Sequence, residues 1–338
     1  MKRNMQKWAA DLLAAPIKKP LPILSFPCVS LLGISVKQLI SDSEWQAKGM
    51  QLVAQRTDAA AAVSLMDLSV EAECFGAQTV FADDEVPNVT GSIVSSEEDA
   101  QNLQVPPVGS ARSGLYIEAI KKAVERITDR PVLAGVIGPF SLAGRLMDVS
   151  EAMIYCYDEP DMVHTVLQKT TAFLKDYCLA YKQAGANGVV IAEPLAGLLS
   201  PTLAAEFSTD YVREIVSAVQ DENFIVVYHN CGDYTVQMAA DLATIGAAAY
   251  HFGNAIHLQD MLDKMPADVL VMGNIDPAGQ LKNGTPESVA DAVTTLLDEC
   301  GQYPNFVLSS GCDIPPTTPW ENIDAFFKAF RSFYHLEP

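Results

Sequence analysis

The chain has 338 residues, of which 49% are hydrophobic and 19% charged, and its formal net charge at pH 7 is -20. That length fits one large α/β domain or two smaller ones. The chain is strongly acidic and has no local cluster of lysine and arginine. It is therefore not expected to bind nucleic acid, because it would repel the phosphates. No apolar run approaches the roughly 20 residues of a membrane span, so we expect no membrane segment.

The N-terminus is basic, but the stretch from Trp8 to Ala15 carries Asp11 and predicts an amphipathic helix rather than a signal peptide. The seven cysteines are odd in number and form no dense framework, which favours reduced thiols in a cytoplasm. Five of them stand in apolar or helical contexts and are expected to be packing residues or inert thiols: Cys28, Cys74, Cys156, Cys178 and Cys300.

Short apolar runs alternate with helical stretches along the chain. Strands are predicted at 22–26, 60–66, 132–137, 188–191, 224–228, 247–251, 269–272 and 306–309. Helices are predicted between them at 36–56, 112–127, 160–184, 201–219, 258–264 and 286–299. Eight strands alternating with helices favour a (β/α)8 TIM barrel, formed as a single domain over residues 1–338 with an N-terminal helix. A doubly wound sheet is the alternative, although no Gly-x-Gly-x-x-Gly follows any strand.

Residues 75–109 interrupt this alternation after the second predicted strand. They hold the acidic stretches 83–85 and 97–99, with two prolines at 106–107. We expect an excursion made of a small hairpin and a loop that covers the barrel mouth. Ser96 and Asp99 have the spacing of a capping box, and the acids as a group are expected to be a solvated face rather than a site.

A candidate metal site is divided between two strand ends. His229 and Cys231 follow the run 224–228 two residues apart, which puts both side chains on one side of an extended segment, and Cys312 follows the run 306–309. One imidazole and two sulfurs suit zinc, and three protein ligands leave the open fourth position of a catalytic site. His-x-Cys with a distant cysteine is a loose pattern, so chance proximity stays open as the alternative; the placement at strand ends favours the metal site.

Other polar residues follow the remaining strands, and in TIM barrels active sites collect at these carboxyl ends. They are Asp67, Ser141 with Arg145 one helical turn later, Glu193, Asn254 and Asn274. Glu193 follows an apolar run, where an unpaired carboxylate would be costly in free energy. We therefore expect Glu193 to be a fourth zinc ligand or a support for the ligands. Turn and cap chemistry is the alternative for Asn274 and the more favoured interpretation of Asp276.

Several phrases of the sequence resemble the uroporphyrinogen decarboxylase superfamily, and within it the methylcobalamin:coenzyme M methyltransferase branch. They are MDLSVEAECFG at 66–76, GPFSLA at 138–143, HNCG at 229–232, GNID at 273–276 and SGCDIP at 310–315, and the resemblance runs from about Pro20 to Phe330. It implies a (β/α)8 barrel with zinc bound by His229, Cys231 and Cys312, and with an acidic residue as candidate for the fourth position.

The sequence departs from the decarboxylase pattern at residues 24–32. Decarboxylases carry an Arg-Gln-Ala-Gly-Arg segment whose cations hold the carboxylates of the tetrapyrrole, whereas here the corresponding stretch LSFPCVSLL has no arginine or lysine. Asp67 aligns with the pyrrole-binding aspartate of decarboxylases but cannot alone carry that reaction. Decarboxylation of a tetrapyrrole is therefore the less favoured activity.

The resemblance implies transfer of a methyl group from a methylated corrinoid to the sulfur of a small, zinc-bound thiol such as coenzyme M. The corrinoid is expected on a separate carrier protein. Asp67, Glu193 and Asn274 would form the catalytic wall, and Ser141, Arg145 and Asn254 would contact the cofactor or acceptor, with Arg145 as candidate for a sulfonate or else an exposed residue in a salt bridge. Another thiol, a folate acceptor and reverse transfer stay open. A non-catalytic zinc- or corrinoid-binding accessory protein is the hypothesis from another class.

Overall fold

The computed structural model describes residues 3–336, and a curled parallel sheet forms its centre. The strands are β1 Ala62–Val63, β2 Gln78–Val80, β3 Asn88–Thr90, β4 Val132–Ile137, β5 Gly188–Ala192, β6 Ile225–Asn230, β7 Ala249–Phe252, β8 Leu270–Ile275 and β9 Phe306–Ser310. Seven of them form this sheet in the order β1-β4-β5-β6-β7-β8-β9, and each pairing is parallel. The seven strands of this sheet are buried along their whole length, as expected of parallel strands covered on both faces.

Helices connect the strands and cover the outside of the sheet. They are α1 Met5–Ala14, α2 Cys28–Leu32, α3 Val36–Ile40, α4 Ser43–Arg56, α5 Val70–Cys74, α6 Glu97–Asn102, α7 Ser113–Arg126, α8 Pro139–Met147, α9 Val149–Asp158, α10 Pro160–Gln183, α11 Pro201–Ala204, α12 Asp210–Val219, α13 Ala239–Leu242, α14 Leu258–Leu262, α15 Pro286–Cys300 and α16 Trp320–Phe333. The predicted helix 36–56 is divided in two because Asp42 begins α4, accepting hydrogen bonds from the N–H groups of Glu44 and Trp45. Within residues 3–336, no helix is long and apolar enough to cross a bilayer.

The first predicted strand, 22–26, is not a strand in the structure. The Leu21 N–H donates to the Leu308 carbonyl and the Ala60 N–H donates to the Pro20 carbonyl, so this segment runs between β9 and β1. Pro20 and Pro22 have no N–H to donate, which leaves its ladders incomplete. The other seven predicted strands each overlap a strand of the sheet, although the one predicted at 60–66 is only Ala62–Val63 in the structure.

The stretch 75–109 contains the antiparallel pair β2–β3, followed by α6. Ser96 caps α6 by accepting a hydrogen bond from the Asp99 N–H, and the Asp99 carboxylate accepts from the N–H and hydroxyl of Ser95. Lys169 donates to the carbonyls of Ala100 and Gln101 and so ties the end of α6 to α10. The acidic residue of this cap therefore stabilises the start of a helix.

The amino end of the sheet is closed by α1. Met5 is fully buried and joins an apolar cluster with Leu133, Ile225 and Leu270 inside the sheet. The Met5 N–H donates to the carbonyl of Glu222, just before β6 begins. The helix α1 therefore covers the amino end of the sheet, opposite the end where the strands finish.

Candidate metal centre

His229, Cys231 and Cys312 meet at the carboxyl end of the sheet. Their ligand atoms all lie within 4.8 Å of one another, and the Cys312 Sγ is 3.4 Å from the His229 Nε2. Two strands, β7 and β8, separate β6 from β9 in the sheet, so its curl brings the three side chains together. Within the described chain, this is the only cluster of three or more histidine, cysteine or acidic side chains close enough to share a metal ion.

Glycines allow the loops around this cluster to approach closely. A Cβ on Gly253, after β7, would lie 2.5 Å from the Cβ of Cys231. A Cβ on Gly311, after β9, would lie 2.6 Å from the Oδ1 of Asn254 and 2.8 Å from its backbone nitrogen. Because neither residue has a side chain, the segment after β7 can lie close to Cys231, and the loop after β9 can lie close to Asn254.

The donor set fits zinc. With Zn–S near 2.3 Å and Zn–N near 2.0 Å, tetrahedral ligand atoms lie about 3.5–3.8 Å apart. The Cys312 Sγ–His229 Nε2 distance of 3.4 Å is close to that range, and the other ligand atoms lie within 4.8 Å of one another. Hydrogen bonding to Cys312 lowers the pKa of the Cys231 thiol. The same bond, together with burial, raises the pKa of Cys312 to about 12. Cys231 is therefore the first of the two to ionise, and a bound divalent ion would deprotonate both.

A second histidine lies behind the first. The Nδ1 atoms of His229 and His251 are 2.8 Å apart, and the Nε2 of His251 is 2.7 Å from the Ser309 Oγ. Both rings are buried, and burial together with the neighbouring His229 holds the pKa of His251 well below its usual value. Sequence reasoning missed His251 and Ser309 as site residues; the available signal was a histidine at the end of an otherwise apolar predicted strand.

Asp67 lies just beyond β1 in a buried ion pair. Its carboxylate accepts hydrogen bonds from the Ser69 hydroxyl at 2.6 Å, the Tyr116 hydroxyl at 2.6 Å and the Arg112 guanidinium at 2.5 Å. Arg112 also donates to Glu73 at 2.6 Å. Arg112 and Tyr116 did not stand out in the sequence, although a cation and an aromatic residue four apart at the start of a predicted helix were a usable signal.

Glu193 and Ser141 join the end of β5 to the first turn of α8. The Glu193 Oε1 accepts a hydrogen bond from the Ser141 N–H at 2.8 Å, and the Ser141 hydroxyl accepts one from the Leu195 N–H at 3.1 Å. The Oε2 of Glu193 is buried without a hydrogen-bond partner among the described residues, in the space that a Cβ on Gly138 would fill. Burial raises the pKa of Glu193 to about 8. The carboxyl group thus caps α8 and is not one of the three clustered ligands.

Arg145, in α8, lies half-buried near Glu71 and Asp67. Among the described residues it makes no ion pair or hydrogen bond. Burial lowers the pKa of its guanidinium, and the charges of Glu71 and Asp67 act in the opposite direction. Glu71 is buried and accepts from the Ile137 N–H at 3.0 Å, and burial raises its pKa to about 7. Asp313 has its pKa raised well above the usual value by burial and then by Cys312, with a smaller contribution from Asp67.

Of the two asparagines, Asn274 holds a loop in place. The Asn274 amide donates to the carbonyls of Gly253 at 2.9 Å and Ile256 at 3.0 Å, which fixes the loop after β7. Asn254 is exposed and lies against Gly311. Asp276 accepts from the N–H groups of Ala278 and Gly279, both at 2.9 Å, so its interpretation as a cap is confirmed.

Comparisons with known proteins agree with this architecture. The chain is 32% identical over 253 residues to a uroporphyrinogen decarboxylase of Coxiella burnetii, covering 71% of this chain and 68% of that protein. It is 28% identical over 272 residues to the methylcobamide:CoM methyltransferase MtbA of Methanosarcina acetivorans, covering 79% and 78%. The solved structure of a methyltransferase from Methanosarcina mazei superposes with a TM-score of 0.86 at 24% identity, covering 99% of both chains, and shows the same fold.

The resemblance seen in the sequence is thus confirmed. The family described as uroporphyrinogen decarboxylase (URO-D) matches residues 28–333, nearly the whole chain. The chain belongs to the uroporphyrinogen decarboxylase family, whose members similar to it include methylcobamide:CoM methyltransferases.

Proposed function

We propose that the protein is a zinc-dependent methyltransferase that moves a methyl group from a methylated corrinoid to a small thiol. The observation that carries this proposal is the convergence of His229, Cys231 and Cys312, with ligand atoms within 4.8 Å of one another at the end of the sheet where such folds place their active sites. The similarity to a methylcobamide:CoM methyltransferase supports a corrinoid donor and an acceptor such as coenzyme M.

The three residues have the chemistry that this role requires. Zinc bound there would lower the pKa of a thiol acceptor and so keep its sulfur as a nucleophilic thiolate. Cys231 and Cys312 would give up their protons, and their two negative charges would balance the double charge of the ion. His229 would contribute a neutral nitrogen, which leaves the fourth position for the acceptor.

Arg145 is the candidate to bind an anionic group of the acceptor. It is half-buried, and within residues 3–336 the charges of Glu71 and Asp67 act on it without forming an ion pair. A guanidinium in such a place favours a ligand that carries a sulfonate or carboxylate. Ser141, Asn254, Asn274, Asp67 and Glu193 would form or support the walls around it. We expect the corrinoid to arrive on a carrier protein that docks over the mouth.

Tetrapyrrole decarboxylation is the second candidate, favoured by the 32% identity to a decarboxylase. Two features make it weaker. The carboxylate of Asp67 is already bonded to Ser69, Arg112 and Tyr116, and residues 24–32 contain no arginine or lysine to hold a polyanion. A non-catalytic zinc protein would require a fourth tight ligand, and the cluster in the described chain has three.

Metal analysis followed by a methyl-transfer assay tests the proposal. We expect one zinc per chain, and loss of the methylcobalamin absorption when a thiol is added. Cys312→Ala should lose both the bound zinc and the methyl-transfer activity while keeping the wild-type circular dichroism spectrum. Cys74→Ala is the matched control, because Cys74 is also half-buried but lies outside the cluster, with its thiol donating to the Ser110 carbonyl. Full zinc content in Cys312→Ala, or turnover of uroporphyrinogen without methylcobalamin turnover, would contradict the proposal.

A further inference from the structure

A line of hydrogen bonds leads from the backbone of residue 21 to the metal-facing side of His229. The Ser309 Oγ is 2.7 Å from the Leu21 carbonyl oxygen, and the His251 Nε2 is 2.7 Å from the same Ser309 Oγ. The His251 Nδ1 is 2.8 Å from the His229 Nδ1. The remaining ring nitrogen, the His229 Nε2, faces Cys312 at 3.4 Å. All four residues in the line are buried.

The chemistry at the two ends sets the direction of every bond in this line. A carbonyl oxygen can only accept, so the Ser309 hydroxyl donates to Leu21, and its oxygen then accepts from the Nε2–H of His251. At the other end, the His229 Nδ1 also lies 3.3 Å from the backbone carbonyl of His251, which again can only accept. The proton between the two histidines therefore sits on the His229 Nδ1, and the His251 Nδ1 accepts it.

We infer that His251 and Ser309 are positioning residues that hold His229 in the tautomer protonated on Nδ1. That tautomer leaves a lone pair on Nε2, directed at the two cysteines. A ring protonated on Nε2 would instead present a hydrogen to the metal and could not bind it. The inference rests on the proposed metal site at His229. It also links that site to the segment between β9 and β1, since Leu21 supplies the first acceptor.

The serines of β9 provide a matched pair of variants. Ser309→Ala breaks the line by removing the acceptor of the His251 Nε2–H. Ser310→Ala removes the hydroxyl that accepts from the Ile23 N–H at 3.1 Å, and so loosens the same segment without touching either ring. His251→Phe keeps a flat ring in the buried space but removes both nitrogens.

We expect Ser309→Ala and His251→Phe to bind zinc about 10-fold or more weakly than wild type, since loss of such supporting groups typically costs 10–100-fold in metal affinity. Ser310→Ala should bind zinc as wild type does. Competition against a chromophoric chelator measures these affinities without any assay of activity. Equal affinities for the two serine variants would overturn the inference.

Nitrogen-15 NMR of the histidine side chains in zinc-free protein reports the tautomer directly. The chain has five histidines, so single substitutions assign the signals. His229 should be protonated on Nδ1 in wild type and should become a mixture of tautomers in Ser309→Ala. Protonation of His229 on Nε2 in the wild type would overturn the inference. The spectrum is recorded without zinc, so its result does not depend on the methyltransferase proposal. Failure of that proposal would instead be seen as absent zinc binding or absent methyl transfer in wild type.

Discussion

The Cys312 sulfur lies 3.4 Å from the His229 Nε2, although 83 residues separate them along the chain. An ion shared by these atoms binds the folded chain and not the unfolded one. Zinc at about 100 times its dissociation constant should then add about 2.7 kcal/mol to the free energy of unfolding. Urea unfolding of metal-free protein with increasing zinc measures this. Cys312→Ala should gain no comparable stability, and an equal gain in that variant would exclude the ion from this site.

The pair of Asp67 and Arg112 predicts a large loss of stability on removal of the cation. The Asp67 side chain is fully buried and that of Arg112 is 12% exposed. Arg112→Ala would leave a buried carboxylate without its charge partner, which typically costs about 3–5 kcal/mol. Denaturant unfolding at neutral pH checks the prediction. Lys19→Ala is the control, because its pair with Asp58 is about 60% exposed on both sides and should contribute about 0–1 kcal/mol. Similar losses in the free energy of unfolding for the two variants would mean that leaving the buried Asp67 carboxylate without its charge partner costs little.

Glu193 predicts a fall in stability with rising pH. Burial raises its pKa in the folded chain to about 8 from an ordinary 4.5, so the folded chain holds this proton more tightly than the unfolded chain does. Its contribution is fully present below pH 4.5 and is lost as the pH rises through about 8. We expect Glu193→Gln to unfold with a flatter dependence on pH between 5 and 8. The difference between the two curves in urea isolates this group, and parallel curves would show that Glu193 is ionised in the native state.

The sequence was sufficient to predict that His229, Cys231 and Cys312 lie together, because their positions depend on local patterns. An apolar run ending in His-x-Cys predicts a strand and a strand end, and parallel strands bring such ends to one edge. The orientation of Glu193 could not be predicted in this way. Its carboxyl group turns to the Ser141 N–H because Gly138, 55 positions earlier, leaves room for it, and this room exists only once α8 packs against β5.

The same limit applies to the partners of the predicted residues. The cation that neutralises Asp67 is Arg112, just before α7, and the ring that contacts His229 comes from β7, so neither is close in the sequence. The segment at 22–26 shows the opposite error. Its apolar composition predicts a strand, but Pro20 and Pro22 lack the donors that a regular ladder requires.

Arg145 predicts a preference for anionic acceptors. If its guanidinium binds the charged end of the thiol, wild type should use 2-mercaptoethanesulfonate better than the neutral 2-mercaptoethanol. Arg145→Met should lose that preference, because the long apolar side chain retains packing but not charge. Charge-assisted hydrogen bonds contribute about 1.5–3 kcal/mol, so kcat/KM for the anionic thiol should fall about 10- to 100-fold. The value for the neutral thiol should hardly change, since both thiols would present the same sulfur to the zinc ion. A parallel fall in kcat/KM for both acceptors would show that Arg145 supports the fold around the site, whereas two unchanged values would place the anionic group elsewhere. The ratio is informative because any general damage to the site, such as weaker zinc binding, affects both acceptors alike.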